Sequence, residues 1–236
     1  MSTADAILNE LKSLGNESTR KVFLKHGARE PFFGVKVEDL KKIQKRVKKD
    51  YELALALYET GNSDAMYLAG LIADDRRMRR EDLEAWVNGA YWYMISEYTV
   101  PWVASGSPHG HALALEWIES DREMVATAGW ATLSSLVATQ PDESLNLEEL
   151  KQLLKRVGET IHRQPNRVRY TMNGFVASVG GYCKPLTALA LETAGKIGKV
   201  SVDMGETACN VPDAADRIGK IEARGSLGKK RKSAKC

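Results

Sequence analysis

The residues whose types and spacing could do chemistry are concentrated in residues 83–104, LEAWVNGAYWYMISEYTVPWVA. This segment holds six aromatic residues, although aromatic residues make up only 7% of the chain. Tyr93 and Glu97 are four positions apart and would share one face of a helix. A ring beside a carboxylate can hold a cationic ligand, because both stabilise positive charge. The alternative is a buried aromatic core in which Glu97 caps a helix or pairs with a cation, and spacing alone favours it.

Other kinds of chemical site lack their usual signals. The sequence has no P-loop, GxGxxG, HExxH or GxSxG motif, which argues against a nucleotide cofactor, a zincin site and a serine hydrolase. His109 and His111 have no matching Asp, Glu or Cys pattern nearby, so we expect no metal site there. Three cysteines without a CxxC pair favour neither a disulfide framework nor a thiolate zinc site. We therefore expect no metal and no cofactor.

Charge gives a second indication, through its distribution. The net charge is only +3, but basic residues cluster within residues 41–49, 76–80, 163–169 and 229–235. Separate basic blocks in a nearly neutral chain could hold a polyanion on one side of the molecule. The alternative is that these blocks are solvated helix faces, and charge alone does not decide between the two.

The elements that must position these residues are predicted to be helices. Val37, Leu40, Ile43 and Val47 follow helical periodicity, and residues 147–161 repeat the pattern. About a dozen helices and no sheet are expected, in pairs of ~40 residues. This predicts an all-α, HEAT-like helical-repeat superhelix with a concave basic face, and a compact helical bundle is the alternative. Residues 1–223 would form one domain and residues 224–236 a basic, flexible tail.

The location of the protein is predicted from two further features of the chain. No apolar run approaches the ~18 residues that cross a bilayer, so we expect no membrane association. The first residues form an amphipathic helix pattern and not a signal peptide. We therefore expect a cytoplasmic protein.

Two motifs resemble a known family. The HEAT-like alkylpurine DNA glycosylases, the AlkC/AlkD-type DNA alkylation repair family, carry a Phe-x-Gly-[Ile/Val] motif, which residues 32–35 (FFGV) match. They also carry Trp-Trp-Asp-x-Val-Asp followed by Val-Pro. This chain has WYMISE at residues 92–97 and Val-Pro at residues 100–101, with no gap. The similarity covers most of residues 1–200.

The resemblance implies a function and a set of site residues. Glu97 stands at the catalytic Asp, Tyr93 at the substrate-facing Trp, and Trp92 at the first Trp of the family motif. The implied activity is that of a monofunctional DNA glycosylase that releases cationic N3- or N7-alkylated purines from double-stranded DNA, and we expect the protein to be a monomer. A carboxylate would stabilise the oxocarbenium-like sugar, with the rings against the deoxyribose or base. This interpretation requires Glu97 to face an open, cationic surface.

The same resemblance suggests DNA contacts and two departures from the family. Thr127 or a neighbour stands where the family has an Arg, and MNGFVASVGG lacks the expected Trp, with Phe175 its nearest aromatic residue and Gly174 a competing match. The predicted DNA-binding residues are Lys41, Lys45, Arg76, Arg77, Arg163, Arg167, Arg169 and Phe175. Because of these departures, two alternatives stay open: an inactive member that binds damaged or branched DNA, and a protein-interaction scaffold.

Overall fold

The computed structural model describes residues 3–207 and 209–235. Regular structure in these ranges is entirely helical, without a β-strand. The α-helices are α1 (Ala4–Leu14), α2 (Glu17–Lys25), α3 (Val37–Val47), α4 (Tyr51–Glu59), α5 (Ser63–Ile72), α6 (Arg80–Gly89), α7 (Val100–Gly106), α8 (Gly110–Trp117), α9 (Glu123–Thr139), α10 (Leu147–Thr160), α11 (Asn166–Tyr182), α12 (Thr187–Ile197) and α13 (Ala214–Ala223). A π-helical segment, Ile95–Thr99, leads into α7. None of the helices described is long and apolar enough to span a bilayer.

The helices stack as a solenoid with two layers. Helices α3, α5, α7, α9, α11 and α13 pack against one another in succession, and α4, α6, α8, α10 and α12 each pack on the helix that follows. These pairs begin at residues 51, 80, 110, 147 and 187, so the repeat length varies between 29 and 40 residues. This is the helical-repeat superhelix that the sequence predicts, and the unequal spacing explains why no regular repeat is visible in the sequence.

One central helix joins two hydrophobic clusters. Val125 and Ala128 of α9 pack in the N-terminal cluster, whereas Trp130 and Leu133 pack in the C-terminal cluster. All ten residues of α5 are buried, so this helix has no polar face. Outer helices such as α10 keep the amphipathic pattern, and the Asn146 side chain caps α10 through the backbone N–H of Glu149 (3.2 Å). The two halves of the solenoid therefore share a continuous interior.

The FFGV motif has a structural role. The Asp64 carboxylate accepts backbone N–H groups from Phe33 (2.6 Å), Gly34 (3.0 Å) and Val35 (3.0 Å). Gly34 has φ +76°, and a Cβ atom there would lie 2.7 Å from the backbone nitrogen of Arg20. The motif thus fixes residues 33–35, which precede α3, to the start of α5. Helix α5 in turn lies next to the π-helical segment.

The C-terminal segment, residues 226–235, contacts the rest of the solenoid, and the flexibility predicted for residues 224–236 stays a prediction. The backbone N–H of Arg231 donates to the Ala138 carbonyl (2.8 Å), at the end of α9. The Lys235 ammonium donates to the Ala73 carbonyl (3.0 Å) and pairs with Asp75 (2.7 Å), beyond the end of α5. The segment therefore runs from the C-terminal half of the solenoid, which it contacts at Ala138, to the N-terminal half, which it contacts at Ala73.

Candidate functional site

Glu97 lies in the π-helical segment and points into the protein. Its side chain is 3% exposed, and its Oε1 atom accepts hydrogen bonds from Nε of Arg167 (2.6 Å) and contacts Nη2 of the same side chain (2.5 Å). Its Oε2 atom is buried and has no hydrogen-bond partner among the described residues. The expectation that Glu97 faces an open cationic surface is therefore wrong, because Arg167 covers the carboxylate. The pairing alternative considered for Glu97 is the one that the structure adopts.

Arg167 fills the space between the aromatic rings and the carboxylate. Its guanidinium carbon lies 4.5 Å from the ring centroid of Tyr93 and 4.5 Å from that of Tyr170. Nη1 also contacts the sulfur atom of Met204 (3.4 Å). An aromatic ring beside a carboxylate thus does hold a cation here, as the residue types suggest. The cation is a side chain of the protein itself.

Burial sets the protonation of this cluster. Desolvation raises the pKa of Glu97 to about 7, although the charge and hydrogen bonds of Arg167 act in the opposite direction. Burial likewise raises the pKa of Tyr93 to about 12 and raises the pKa of Tyr170. The Glu97 carboxyl therefore holds a proton more tightly than an exposed glutamate does, and the neighbouring phenols are neutral near neutral pH.

The loop of residues 203–206 and the end of α2 line an open cavity beside the Glu97–Arg167 pair. The cavity has a volume of about 560 Å³ and lies between residues 24–27, residues 91–93 and residues 203–206. Tyr93 and Arg167 line it, and Glu97 does not. The loop is fixed because the Asn166 side chain donates to the Asp203 carbonyl (2.8 Å) and accepts from the Asp203 N–H (2.7 Å). A ligand in this cavity would thus meet the Arg167 guanidinium and not the carboxylate.

Trp92 connects this region to α2. Its indole N–H donates to the His26 carbonyl (2.8 Å), and its ring centroid lies 5.3 Å from that of Phe23. Trp92 also packs on Phe32 of the FFGV motif and is 5% exposed. Most of the Trp92 ring therefore packs against Phe23 and Phe32, and only a small part of it lines the cavity.

The predicted DNA-binding residues do not form one group. Lys45 and Arg76 line a second cavity of about 750 Å³, near the ends of α3 and α5. Lys41 is half-buried on α3, and the Arg77 guanidinium stacks on the Tyr51 ring (4.5 Å). Arg163 is exposed before α11, and Arg169 is half-buried with Nη2 donating to Asn166 (3.3 Å).

Two of these residues are buried to different degrees. Phe175 is fully buried in the C-terminal cluster, where its ring packs edge-on against Trp130 at 5.3 Å between centroids. Arg167 is 9% exposed because its guanidinium is engaged by Glu97 and two rings. The prediction that Phe175 contacts DNA is therefore wrong, whereas a contact from Arg167, which lines the first cavity, stays a prediction. Sequence reasoning also missed Tyr170, since no local pattern links it to a carboxylate on a distant helix.

No metal site is evident from the geometry. The described residues contain no group of three or more His, Cys, Asp or Glu side chains placed to hold a metal ion. His111 instead contacts Glu149, with Nε2 2.8 Å from Oε1.

The sequence and the fold are similar to those of known proteins. Residues 7–206 match the family described as DNA alkylation repair enzyme. The uncharacterized protein Lmo0209 of Listeria monocytogenes is 39% identical over 230 residues, which is 95% of this chain and 99% of that protein. Lin0241 of Listeria innocua, also described as uncharacterized, is 38% identical over the same shares.

One solved structure superimposes over the full length of both chains with a TM-score of 0.91 and 37% identity. It is described as a new family of proteins related to the HEAT-like repeat DNA glycosylases, with affinity for branched DNA structures. The match confirms the HEAT-like solenoid. With the family match over residues 7–206, these relationships show that the chain belongs to the DNA alkylation repair enzyme family.

Proposed function

We propose that this protein binds branched or damaged DNA through phosphate contacts and does not release bases from it. The observation that carries the proposal is the position of Arg167. Its guanidinium lies between the Tyr93 and Tyr170 rings and contacts the Glu97 carboxylate at 2.5 Å. A protein cation thus occupies the place that a cationic base or sugar would need.

The physical argument against base release concerns charge. Release of an alkylated purine needs a negative group close to the oxocarbenium-like sugar. Here the carboxylate is screened by Arg167, and burial raises the pKa of Glu97 to about 7. A displacement of about 1 Å in a catalytic group can already cost ~100-fold in rate. Glu97 is paired with Arg167 and turned inward, so it provides little stabilisation to a sugar outside.

The support for DNA binding is independent of this pair. The basic residues Lys45, Arg76 and Arg163 are exposed and form no ion pair among the described residues. Unpaired surface cations contribute to DNA affinity by releasing counterions from the phosphates. A structural relative of 37% identity is described as having affinity for branched DNA, which suggests the same class of ligand here.

The second candidate function is the glycosylase that the motifs imply, with Glu97, Tyr93 and Trp92 as its catalytic residues. The observation in its favour is that Tyr93 and Trp92 both line an accessible cavity of about 560 Å³. This candidate needs Arg167 to leave the carboxylate when DNA binds. It predicts release of N3- or N7-methylated purines without a cofactor.

One experiment separates these candidates. The parent protein is titrated by fluorescence anisotropy against a four-way junction and a linear duplex of equal strand length, and is incubated with methylated duplex to measure free 7-methylguanine. We expect tighter binding to the junction and no base release above buffer. Glu97→Gln should behave as the parent in both assays, as should the control Glu59→Gln, an exposed carboxylate outside the cluster.

Two results would contradict the proposal. Base release that disappears in Glu97→Gln but persists in Glu59→Gln would establish the glycosylase. No affinity for any DNA form would favour the protein-interaction scaffold. A cytoplasmic location and a monomeric state stay predictions, for which gel filtration of the free protein tests the second.

A further inference from the structure

The second cavity, of about 750 Å³, is strongly basic and lies away from Glu97. It is formed by the C-terminal segment together with the ends of α3, α5 and α7. Its cationic lining residues are Lys45, Lys48, Lys49, Arg76, Lys232 and Lys235. Asp75 is the single carboxylate among the described lining residues.

Most of this positive charge is not neutralised within the protein. Lys235 pairs with Asp75 at 2.7 Å, and Lys49 lies 3.8 Å from Asp74. The cations without an ion pair in the described part of the chain are Lys45, Lys48, Arg76 and Lys232, all of them exposed. Four unpaired cations around one concavity repel one another, and an anionic ligand would relieve that repulsion.

Lys48 has a backbone conformation that is unfavourable for lysine. Its φ is +65° and its ψ is −139°, and within residues 3–207 and 209–235 every other residue with positive φ is glycine. A side chain in such a sparsely populated region is strained, whereas glycine adopts positive φ readily. The conformation is held because the Lys48 N–H donates to the Gln44 carbonyl (2.7 Å) at the end of α3. A lysine at this position thus supplies charge to the cavity at a cost in stability.

We propose that this cavity binds the phosphodiester backbone of DNA and that the C-terminal segment is part of the site. The inference rests on the proposed DNA-binding function and names where one stretch of backbone is held. Lys45 of α3 and Lys48, directly after α3, would face the backbone from one side, and Lys232 from the other. The Asp75–Lys235 pair positions the segment, since it fixes the segment against the end of α5.

The alternative role for these lysines is structural. A lysine at the C-terminal end of a helix interacts favourably with the helix dipole. If that were the reason for Lys48, its removal would lower stability or leave it unchanged, with no effect on DNA. If Lys48 instead binds DNA phosphate, its replacement by glycine should raise stability and weaken DNA binding.

The decisive variant is Lys48→Gly, in the full chain. Glycine relieves the backbone strain, so the melting temperature is expected to rise, while loss of the charge weakens binding to the four-way junction. Loss of one phosphate contact lowers the slope of log Kd against log salt concentration by about 0.9. That slope amounts to roughly fivefold in affinity at about 0.15 M salt.

A second variant keeps the test independent of the backbone at residue 48. Lys45→Gln combined with Lys232→Gln removes one exposed charge from each side of the cavity and is expected to reduce the salt slope by about 1.8. The control is Lys155→Gln, an exposed lysine of α10 without an ion pair among the described residues. It should leave affinity, salt slope and melting temperature at parental values.

The outcomes distinguish this inference from the function on which it rests. If the parent binds the junction and both variants match it in affinity and salt slope, the cavity does not hold DNA backbone, and the DNA-binding function stands. If the parent binds no DNA, the proposed function itself fails and this inference fails with it. If Lys48→Gly lowers the melting temperature and leaves affinity unchanged, the role of Lys48 is structural.

Discussion

The buried pair of Glu97 and Arg167 gives the most direct test of the structure. Replacing Arg167 with Met removes the cation but keeps much of the side-chain volume between the rings of Tyr93 and Tyr170. The side chains of Arg167 and Glu97 are only 11% and 3% exposed, so water cannot solvate the carboxylate that remains. Breaking a buried ion pair from one side costs about 3–5 kcal/mol. We therefore expect Arg167→Met to lower the free energy of unfolding, with the penalty approaching that amount only where Glu97 is ionised in the parent protein, above about pH 7.

A double-mutant cycle shows whether the penalty comes from the unpaired carboxylate. Glu97→Gln removes the charge of the partner, so Arg167→Met combined with Glu97→Gln leaves no buried ion. We expect the double variant to be more stable than Arg167→Met alone, with a coupling energy of about 1–3 kcal/mol between the two positions. Urea denaturation followed by circular dichroism measures each free energy.

The same cycle has a defined pH dependence. Burial raises the pKa of Glu97 from its ordinary 4.5 to about 7, so the native protein binds a proton more tightly than the unfolded chain. The stability due to this proton is complete below the unfolded pKa and is lost as pH rises through the native value. Loss of the Arg167 charge raises the pKa of Glu97 further, so the penalty of Arg167→Met should be smaller at about pH 5 than at about pH 8. A penalty under about 1 kcal/mol at both pH values would refute the reasoning.

Three further predictions concern the scaffold. Gly34→Ala should lower the free energy of unfolding by at least about 1–3 kcal/mol, because φ is +76° and the new Cβ atom would meet α2 at 2.7 Å; chemical denaturation measures it. Lys235→Met should cost about 1–3 kcal/mol and speed proteolysis of the C-terminal segment, since Asp75 loses its 2.7 Å partner; unchanged proteolysis would contradict that anchoring role. Cys209 is exposed and should react with iodoacetamide in the native protein, whereas Cys183 is buried with a raised pKa and should react only on unfolding, as peptide mass mapping would show.

The helical fold follows from periodicity where helices have one polar face. Leu40 and Ile43 of α3, and Leu150 and Leu154 of α10, are buried as their spacing predicts. Periodicity could not place α5, because all its residues are buried and the helix has no polar side. It also could not find the anchoring of the C-terminal segment, where composition predicts flexibility. The lysines there are ordered by distant acceptors such as the Ala73 carbonyl (3.0 Å).

The site was predictable in residue type but not in its pairing. Tyr93 and Glu97 of segment 91–97 do contact a cation, and the FFGV motif does lie against this segment through Trp92. The identity of the cation depends on Arg167, which is 70 positions from Glu97 along the chain. Sequence reasoning gave Arg167 and Arg169 the same role, since both are basic residues at the start of one helix. Only the folded structure distinguishes the one that reaches the carboxylate.

The pairing of Arg167 with Glu97 affects which parts of DNA this protein can recognise. A carboxylate can stabilise one positive charge closely, so Arg167 competes directly with any cationic base for Glu97. The chain thereby gains a buried, ring-stacked contact between the π-helical segment and α11, and it loses an anion at the surface. Without that anion, attraction to DNA falls to phosphate contacts, which do not depend on base chemistry. Recognition would then follow the position and shape of the phosphate backbone and not the sequence of the bases.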